Sequence, residues 1–378
     1  MIIGIDSSRA FVSDKTGTEN YSYHVITAML RLPESREHTF VLFTRPNAVL
    51  PSELLLYSNL MVKEVRWPYL WTQAGLAYGS WLMAYGKNQN QYLDVLWIPA
   101  HTLPILRNPK IRTVVTIHGL EYQWLPEYKN WLQKWYLPLS TIYAAKYADK
   151  LIAVSKFTSH QLQKELHTSA KKIKVIYEGV KQDHGLSIVD RRKATIKYVL
   201  FVGTVQPRKN LVALIDAFSR TKIEKLIIAG GIGWMAQEVL RAPSRFGVQE
   251  KVIFTGRVSD LELEKLYNGA LMYVQPSLTE GFGLPVLEAM QMGVPVISSD
   301  GGALSEVVGK AGIIVKFSNH KFSNSQIDDL FVERLARAME RVVSDKKLQN
   351  NSISMGYERV KEFTWEKTAR ETLSTLVG

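Results

Sequence analysis

The chain has 378 residues, a formal net charge of +12 and no cysteine. This length favours two domains over a single core, and the lack of cysteine excludes disulfides, thiol catalysis and thiolate metal sites. Because residues 1–6 begin directly as a strand and no apolar run approaches the roughly 18 residues that cross a bilayer, the sequence predicts a cytoplasmic protein.

Short runs rich in Val and Ile alternate with longer helical segments along the whole chain. Such alternation is typical of βαβ units with parallel strands. Strands are predicted in the first half at residues 2–5, 40–44, 62–65, 95–98, 113–117, 151–154 and 174–176. In the second half they are predicted at residues 198–202, 225–229, 251–255, 272–274, 295–297 and 312–315. The pattern therefore predicts two doubly wound α/β sheets.

A polar, basic stretch without clear period, residues 181–197, separates the two sets of strands and is the predicted linker. We accordingly predict an N-terminal domain over residues 1–182 and a C-terminal domain over residues 183–361. Residues 318–325 form a predicted polar loop, residues 330–361 a predicted amphipathic helix, and a last helix follows Trp365.

Candidate ligand-binding residues follow the predicted strands, because doubly wound sheets bind ligands beyond the carboxyl ends of their strands. In the first half, His118 directly follows the strand at 113–117, His101 follows the strand at 95–98, and Gly17 lies in the loop after the first strand. A histidine in such a position also serves purely structural roles.

Two cations, Arg208 and Lys209, stand immediately before Asn210 and a predicted helix over residues 211–218. Asn210 is a good candidate for the helix N-cap. Positive side chains at the positive end of a helix are unfavourable for stability, unless an anion such as a diphosphate binds there. A solvent-facing basic turn is the alternative interpretation.

The stretch PSLTEGFGLPVLE, residues 276–288, is the most informative motif. It places Glu280 and Glu288 on either side of a glycine-rich turn from a buried strand into a helix, with Pro285 at the predicted helix start and Gly293 at its end. Amide groups at a helix N-terminus bind phosphate, and carboxylates accept bonds from sugar or ribose hydroxyls. The motif suggests a nucleotide-sugar site, although plain strand–helix packing uses similar glycines.

The two glutamates with seven residues between them resemble the signature of retaining glycosyltransferases of family 4. Four further stretches are similar to that family in the expected order: VLFVGTVQPRKN at 199–210, LIIAGG at 226–231, VIFTGRVSD at 252–260 and GVPVI at 293–297. The resemblance implies a GT-B architecture, in which two Rossmann-like doubly wound parallel-sheet domains face a cleft. It also implies that the C-terminal helix, about residues 362–378, packs back onto the first domain.

The resemblance further implies roles for individual residues. Lys209 matches a lysine that binds the diphosphate, whereas Thr204 stands where the family has an arginine, which Arg208 could replace. His118 matches a histidine near the reacting sugar carbon, and Gly17 stands alone where the family has a glycine pair.

In the second domain the resemblance assigns Glu280 to the sugar hydroxyls and Glu288 to the ribose. The remaining donor-binding positions that it implies are Gly203, Thr204, Gly256, Arg257, Val258, Gly281, Phe282, Gly283 and Leu284. We predict no metal site, because Asp-x-Asp and His-Glu-x-x-His motifs are absent from the sequence and Lys209 with a helix terminus can neutralise the leaving diphosphate.

The basic excess is greatest in the first half, where residues 1–180 hold 20 Lys and Arg against 13 Asp and Glu. Two aromatic groups lie in the same half and could form an interfacial surface or an acceptor groove: Trp67, Tyr69, Trp71, Tyr78, Trp81 and Tyr85, then Trp124, Tyr128, Trp131, Trp135 and Tyr136. We therefore predict peripheral contact with the anionic inner face of the plasma membrane. No recognised nucleic-acid motif accompanies the charge.

The sequence thus predicts a metal-independent retaining glycosyltransferase without cofactor. It would move a hexose, such as mannose from GDP-mannose, to a glycan or lipid-linked acceptor in cell-surface polysaccharide synthesis. The alternatives are a UDP-glucose or UDP-GlcNAc-dependent transferase, a GT-B epimerase or phosphorylase, and a binding module for nucleotide-sugars or anionic surfaces without catalysis. A glycosidase, with Glu280 as nucleophile, would need a second carboxyl group about 5 to 10 Å away.

Overall fold

The computed structural model describes residues 1–12, 15, 17–67, 69, 71–85, 92–120, 131–181, 197–318 and 328–378. The chain divides into two compact units, the first formed by residues 1–179 with 363–378 and the second by residues 180–362. The predicted linker at 181–197 and the predicted loop at 318–325 lie almost wholly outside the described residues.

The first unit contains a seven-stranded parallel sheet in the order β3-β2-β1-β4-β5-β6-β7. Its strands are β1 (Ile2–Asp6), β2 (Thr39–Thr44), β3 (Leu60–Glu64), β4 (Val95–Ile98), β5 (Arg112–Ile117), β6 (Lys150–Ala153) and β7 (Ile173–Val175). Strands β1, β2, β4 and β5 are buried along most of their length, as expected for a parallel sheet covered on both faces.

The described part of this unit contains the helices α1 (Gly17–Arg31), α2 (Gly75–Tyr85), α3 (Trp131–Tyr147), α4 (Lys156–Leu166) and, at the end of the chain, α12 (Trp365–Val377). Thr364 caps α12 by accepting a hydrogen bond from the Lys367 amide. Helix α12 packs against α1, and the Thr368 hydroxyl donates to the Tyr177 carbonyl at 2.8 Å. The final 16 residues therefore pack within the first unit.

The second unit contains a six-stranded parallel sheet in the order β10-β9-β8-β11-β12-β13. Its strands are β8 (Tyr198–Val202), β9 (Lys225–Ala229), β10 (Val252–Gly256), β11 (Met272–Gln275), β12 (Val296–Ser299) and β13 (Ile313–Val315). The strand order reverses between β8 and β11, so the carboxyl ends of these two strands form a ligand-binding position typical of doubly wound sheets. Both predicted parallel sheets are confirmed.

The helices of this unit are α5 (Leu211–Ser219), α6 (Gln237–Arg245), α7 (Asp260–Gly269), α8 (Leu284–Gln291), α9 (Leu304–Val308), α10 (Asp329–Ser344) and α11 (Lys346–Val360). The single helix predicted at 330–361 is wrong, because Asp345 leaves the helical conformation and its side chain caps α11 through the Leu348 amide. Helix α8 begins at Leu284, which makes Pro285 its second residue rather than its first.

The loops at the carboxyl edge of the second sheet approach one another closely. A Cβ atom on Gly230, whose φ is +146°, would lie 2.2 Å from the Gly203 carbonyl oxygen, and one on Gly302 would lie 2.3 Å from the Glu280 carbonyl oxygen. Only glycine fits at such approaches.

In the described parts of the chain no helix is long and apolar enough to cross a membrane.

Candidate functional site

Glu280 lies in the turn between β11 and α8, at the carboxyl edge of the second sheet. It is 6% exposed, and its carboxylate accepts hydrogen bonds from four side chains. Oε1 accepts from Lys209 Nζ at 2.6 Å, from Ser277 Oγ at 2.6 Å and from Gln275 Nε2 at 2.8 Å, whereas Oε2 accepts from Arg208 at 2.7 Å. Donors on both sides therefore fix the orientation of this side chain.

These contacts also keep Glu280 ionised. Burial alone would raise the pKa of the Glu280 carboxyl, but the Arg208 and Lys209 cations, with hydrogen bonds from Lys209 and Ser277, hold the pKa well below its ordinary value. A buried carboxylate of this kind accepts hydrogen bonds at every physiological pH and does not serve as a proton donor.

Arg208 and Lys209 occupy a short 3₁₀ turn, Pro207–Lys209, between β8 and α5. The Arg208 guanidinium is buried and also donates to the Thr279 carbonyl oxygen at 2.7 Å, so it connects the turn before α5 to the turn before α8. The anion that compensates the two cations here is Glu280 itself. This internal partner differs from the external anion that the sequence predicts at this turn.

Asn210 follows the basic pair in a left-handed conformation with φ of 54°. Its predicted capping role is wrong, since its side chain makes no capping hydrogen bond to α5 and instead donates to the Pro276 carbonyl oxygen at 3.2 Å. Like Arg208, it fastens the turn before α5 to the segment that carries Glu280.

Two neighbours of Glu280, Gln275 and Ser277, were missed by the sequence analysis. Gln275, the last residue of β11, is 1% exposed and donates both to Glu280 and, at 2.7 Å, to Ser277 Oγ. Its amide oxygen accepts a hydrogen bond from the Tyr273 hydroxyl. Residues two apart on a strand share a face. Tyr273, Gln275 and Ser277 are spaced two residues apart at the end of β11. This alternation of polar residues is the sequence signal that could have identified Gln275.

The turn after Glu280 leads into the N-terminus of α8. Gly281 and Phe282 are buried, and Gly283 has φ of +112° and precedes the first helical residue, Leu284. The N-cap residue Gly283 has no side chain that could cap this helix, and the amide dipoles at a helix N-terminus favour an anion. The Ala303 amide donates to the Glu280 carbonyl oxygen at 2.9 Å, which fixes the backbone of the turn from behind.

Glu288 lies one turn into α8 and faces Tyr267 of α7. The Tyr267 hydroxyl donates to Glu288 Oε2 at 2.9 Å. Burial raises the pKa of the Glu288 carboxyl, the Tyr267 hydrogen bond opposes that rise, and the Asp260 charge adds to it. The two glutamates therefore differ electrostatically: cations surround Glu280, and a tyrosine hydroxyl supports Glu288.

The other predicted donor-binding residues of this unit lie at neighbouring strand ends. Gly203 and Thr204 follow β8, and a Cβ atom on Gly203 would lie 3.7 Å from Lys209 Cε. Gly256 ends β10 with φ of +70°, and the exposed Arg257 and partly buried Val258 come next. All of them thus occupy the carboxyl edge of the sheet that carries Glu280.

In the first unit, His118 follows β5 and is held at both ring nitrogens. Nδ1 lies 3.0 Å from Glu178 Oε1, and Nε2 lies 2.9 Å from the Pro99 carbonyl oxygen. The ring also packs edge-on against Tyr21, with 4.6 Å between ring centroids. Glu178, a buried carboxylate after β7, was missed by the sequence analysis.

His101 and Gly17 complete the predicted residues of the first unit. The His101 ring lies 5.6 Å from that of His118, and burial together with the His118 and Arg9 charges lowers the pKa of His101 to about 3. Gly17 is the first residue of α1, and the space where its Cβ would lie is open.

Among the described residues, no group of three or more His, Asp or Glu side chains could hold a metal ion.

Comparison with known proteins covers both units. The family Glycosyltransferase Family 4 matches residues 16–184, and the family Glycosyl transferases group 1 matches residues 189–359. The O-antigen chain mannosyltransferase B of Escherichia coli is 27% identical over 276 residues, which are 70% of this chain and 69% of that protein.

Solved structures share the fold at lower sequence identity. Sucrose-phosphate synthase from Thermosynechococcus elongatus is similar with a TM-score of 0.76 and 19% identity, over 99% of this chain and 98% of that one. Anabaena HepE, solved in complex with UDP-glucose, is similar with a TM-score of 0.67 and 18% identity, over 99% of each chain.

Proposed function

The chain belongs to glycosyltransferase family 4 and has the GT-B fold, and from this premise we propose that it is a retaining, metal-independent hexosyltransferase that takes its sugar from a nucleotide-sugar donor. The observation that carries the proposal is the cluster of Glu280, Arg208 and Lys209 in the turns before α5 and α8. Positive groups for a diphosphate and a fixed acceptor for sugar hydroxyls stand next to each other there.

Lys209 is the proposed partner of the diphosphate. Its ammonium group carries three N–H donors, one of which bonds Glu280 Oε1 at 2.6 Å. As the bond between the sugar and the diphosphate breaks, negative charge grows on the leaving oxygens, and a preorganised cation beside them lowers the barrier. The α8 amides add a second positive partner, so the leaving group is stabilised without a divalent ion.

Arg208 has a different task in this proposal. Its guanidinium is buried and donates to Glu280 and to the Thr279 carbonyl oxygen, which makes it a support of the glutamate. Because Thr204 stands where the family has an arginine, Lys209 is the main cation for the diphosphate in this proposal.

Glu280 is the proposed acceptor for a sugar hydroxyl. A carboxylate has about four acceptor positions, and Oε2 receives a bond from Arg208 whereas Oε1 receives three. The remaining capacity therefore lies on Oε2. Fixing the sugar in this way suits front-face attack by the acceptor hydroxyl, with retention of the anomeric configuration.

Glu288 is proposed to bind the ribose hydroxyls through Oε1, since Tyr267 bonds Oε2. Gly256, Arg257 and Val258 are proposed to frame the base, and Gly203, Thr204 and residues 281–284 to contact sugar and phosphates. In the first unit we assign His118 to the reacting centre and Gly17 to the phosphates. Glu178 and the Pro99 carbonyl fix the orientation of the His118 ring.

For the donor we propose GDP-mannose, and for the product a cell-surface polysaccharide built on a glycan or lipid-linked acceptor. The likeness to an E. coli O-antigen mannosyltransferase supports both. A UDP-hexose is the second candidate, supported by the shared fold of HepE, which holds UDP-glucose.

An apolar stripe on α3 supports peripheral contact with an anionic membrane. Trp135, Leu139 and Ile142 are exposed by 62%, 58% and 42% at successive helical turns, and Lys146 lies further along the helix. Exposed aromatic and aliphatic side chains beside lysines favour the headgroup layer. Trp124 and Tyr128 of the predicted aromatic surface lie outside the described residues.

A thermal-shift panel tests the donor assignment. GDP-mannose, UDP-glucose, UDP-GlcNAc and their diphosphates are added in turn, and a ligand at 100 times its dissociation constant stabilises by about 2.7 kcal/mol. We expect GDP and GDP-mannose to raise the melting temperature most. If no nucleotide or nucleotide-sugar raised it, the proposed function would be wrong.

A further inference from the structure

Gln275 is a buried polar side chain to which the proposed reaction gives no role. It stands at the carboxyl end of β11, and all three of its polar contacts are inside the protein: Tyr273, Ser277 and Glu280. An apolar residue would be the default at so buried a strand position. The amide therefore has a reason to be there other than packing.

The ionised Glu280 carboxylate can only accept hydrogen bonds, so the Gln275 amide presents its nitrogen to it. The Tyr273 hydroxyl also lies 3.5 Å from the Val202 carbonyl oxygen, and its bond to the Gln275 oxygen leaves the amide nitrogen facing Glu280 Oε1 and Ser277 Oγ. A carboxylate in place of this amide would face Glu280 without a proton between them. The site thus requires a neutral donor at this position.

We propose that Gln275 is a positioning residue for sugar transfer, which directs Glu280 Oε1 towards the protein and so presents Oε2 to the donor sugar. Lys209 and Ser277 share Oε1 with it, but the lysine would turn towards a bound diphosphate, and the serine is itself held by the Gln275 amide. Gln275 is then the contact to Glu280 Oε1 that stays in place when the donor binds. The inference rests on the proposed function, in which Glu280 contacts the sugar.

The substitution Gln275→Glu tests this through its pH dependence. When protonated, the new carboxyl group donates to Glu280 as the amide did; when ionised, it repels Glu280. The charged and titratable groups around the pair are Arg208 and Lys209 from the turn before α5, Tyr273 from β11 and, through Tyr273, Glu288 from α8. Because the two carboxyl groups interact strongly, the pKa values seen in the pH profile describe the pair and are not assigned to either group alone.

We expect the ratio of Gln275→Glu turnover to wild-type turnover, with saturating donor, to fall about tenfold or more between pH 6 and pH 8.5. Gln275→Met has no titratable group at this position. Its turnover relative to the wild type should therefore be lowered by the same factor at every pH, and its affinity for GDP should be unchanged. The matched control Gln237→Glu, at the exposed start of α6, should follow the wild-type profile.

A Gln275→Glu ratio that does not change with pH would overturn the inference, and so would full turnover in Gln275→Met. If the Gln275 variants do not fold, Tyr273→Phe tests the same chain of contacts, because it frees the Gln275 amide. A severalfold loss of turnover with unchanged GDP affinity is expected there, and unchanged turnover would refute the role. Failure of the wild type to transfer sugar would instead reject the proposed function.

Discussion

At the scale of residues, the two glutamates of the glycine turn have opposite surroundings. Glu280 receives bonds from four side chains and stays ionised between Arg208 and Lys209, whereas Glu288 is supported by the Tyr267 hydroxyl and has a raised pKa, chiefly through burial. Their assigned tasks, sugar and ribose, should therefore separate in mutants.

Glu280→Gln keeps the size of the side chain but removes its charge, so the sugar loses its fixed acceptor while Lys209 stays available to the diphosphate. We expect turnover to fall by at least about a hundredfold while GDP affinity is kept. Glu288→Gln should instead weaken GDP binding, because a ribose contact exists with or without the sugar. Isothermal titration with GDP, beside steady-state rates with the full donor, measures both; the reverse pattern would refute the assignment.

His101 gives a pH dependence of stability. Burial, then the charges of His118 and Arg9, lower its pKa in the folded protein to about 3 from an ordinary 6.5. Between these two pH values the unfolded chain binds a proton at His101, whereas the His101 imidazole of the folded chain stays neutral. The stabilising contribution is complete above pH 6.5 and is lost as the pH falls from 6.5 towards 3.

His101→Asn should accordingly lose less stability than the wild type between pH 7 and pH 5. Urea denaturation followed by circular dichroism at both pH values measures the difference, with His160→Asn on the exposed face of α4 as control. Equal losses in all three proteins would show that His101 is not a source of acid sensitivity.

The sequence predicted several site residues through their position at strand ends, among them Glu280, Lys209 and His118. It could not predict their partners. Residues 208 and 280 lie 72 positions apart, and only the adjacency of β8 and β11 brings their side chains together. The pairing of His118 with Glu178, 60 positions away, depends in the same way on the order of the strands.

Among the elements, the central strands of both sheets were predictable because buried parallel strands are short, apolar and rich in branched residues. The break at Asp345 was not, because the apolar period continues from α10 into α11 and a capping aspartate resembles any surface carboxylate. In helix α3 the side chains of Trp135, Leu139 and Ile142 are exposed; the predicted aromatic group includes Trp135 but neither of the two aliphatic residues.

Replacing Trp135, Leu139 and Ile142 together by serine should abolish the proposed membrane contact. We expect the wild type to sediment with vesicles containing anionic lipid and the triple variant to remain largely in the supernatant, since apolar burial and charge attraction together drive such binding. Equal sedimentation of the two proteins would exclude this stripe. Because α3 lies in the first unit, the circular dichroism spectrum and melting temperature of the triple variant serve as the control for folding.

At the scale of the whole molecule, the proposed tasks are divided between two parallel-sheet units, with the donor-binding residues concentrated in the second and His118 in the first. The chain returns to the first unit for its last helix, so each unit is a compact body of its own.

Excess EDTA should leave sugar transfer largely intact, because Lys209 and the α8 N-terminus are assigned the charge neutralisation that a divalent ion would otherwise supply. The rate of GDP release from GDP-mannose, with and without chelator, measures this. Loss of activity that Mg²⁺ or Mn²⁺ restores would contradict a metal-independent mechanism.

Lys209 is assigned the stabilisation of the departing nucleoside diphosphate, and the turnover of Lys209→Ala measures that contribution. Removing one preorganised charge should lower the rate of GDP release from GDP-mannose by about a hundred- to a thousandfold. Lys347→Ala, at the exposed start of α11, should match the wild type. Unchanged turnover in a folded Lys209→Ala protein would remove Lys209 from the mechanism.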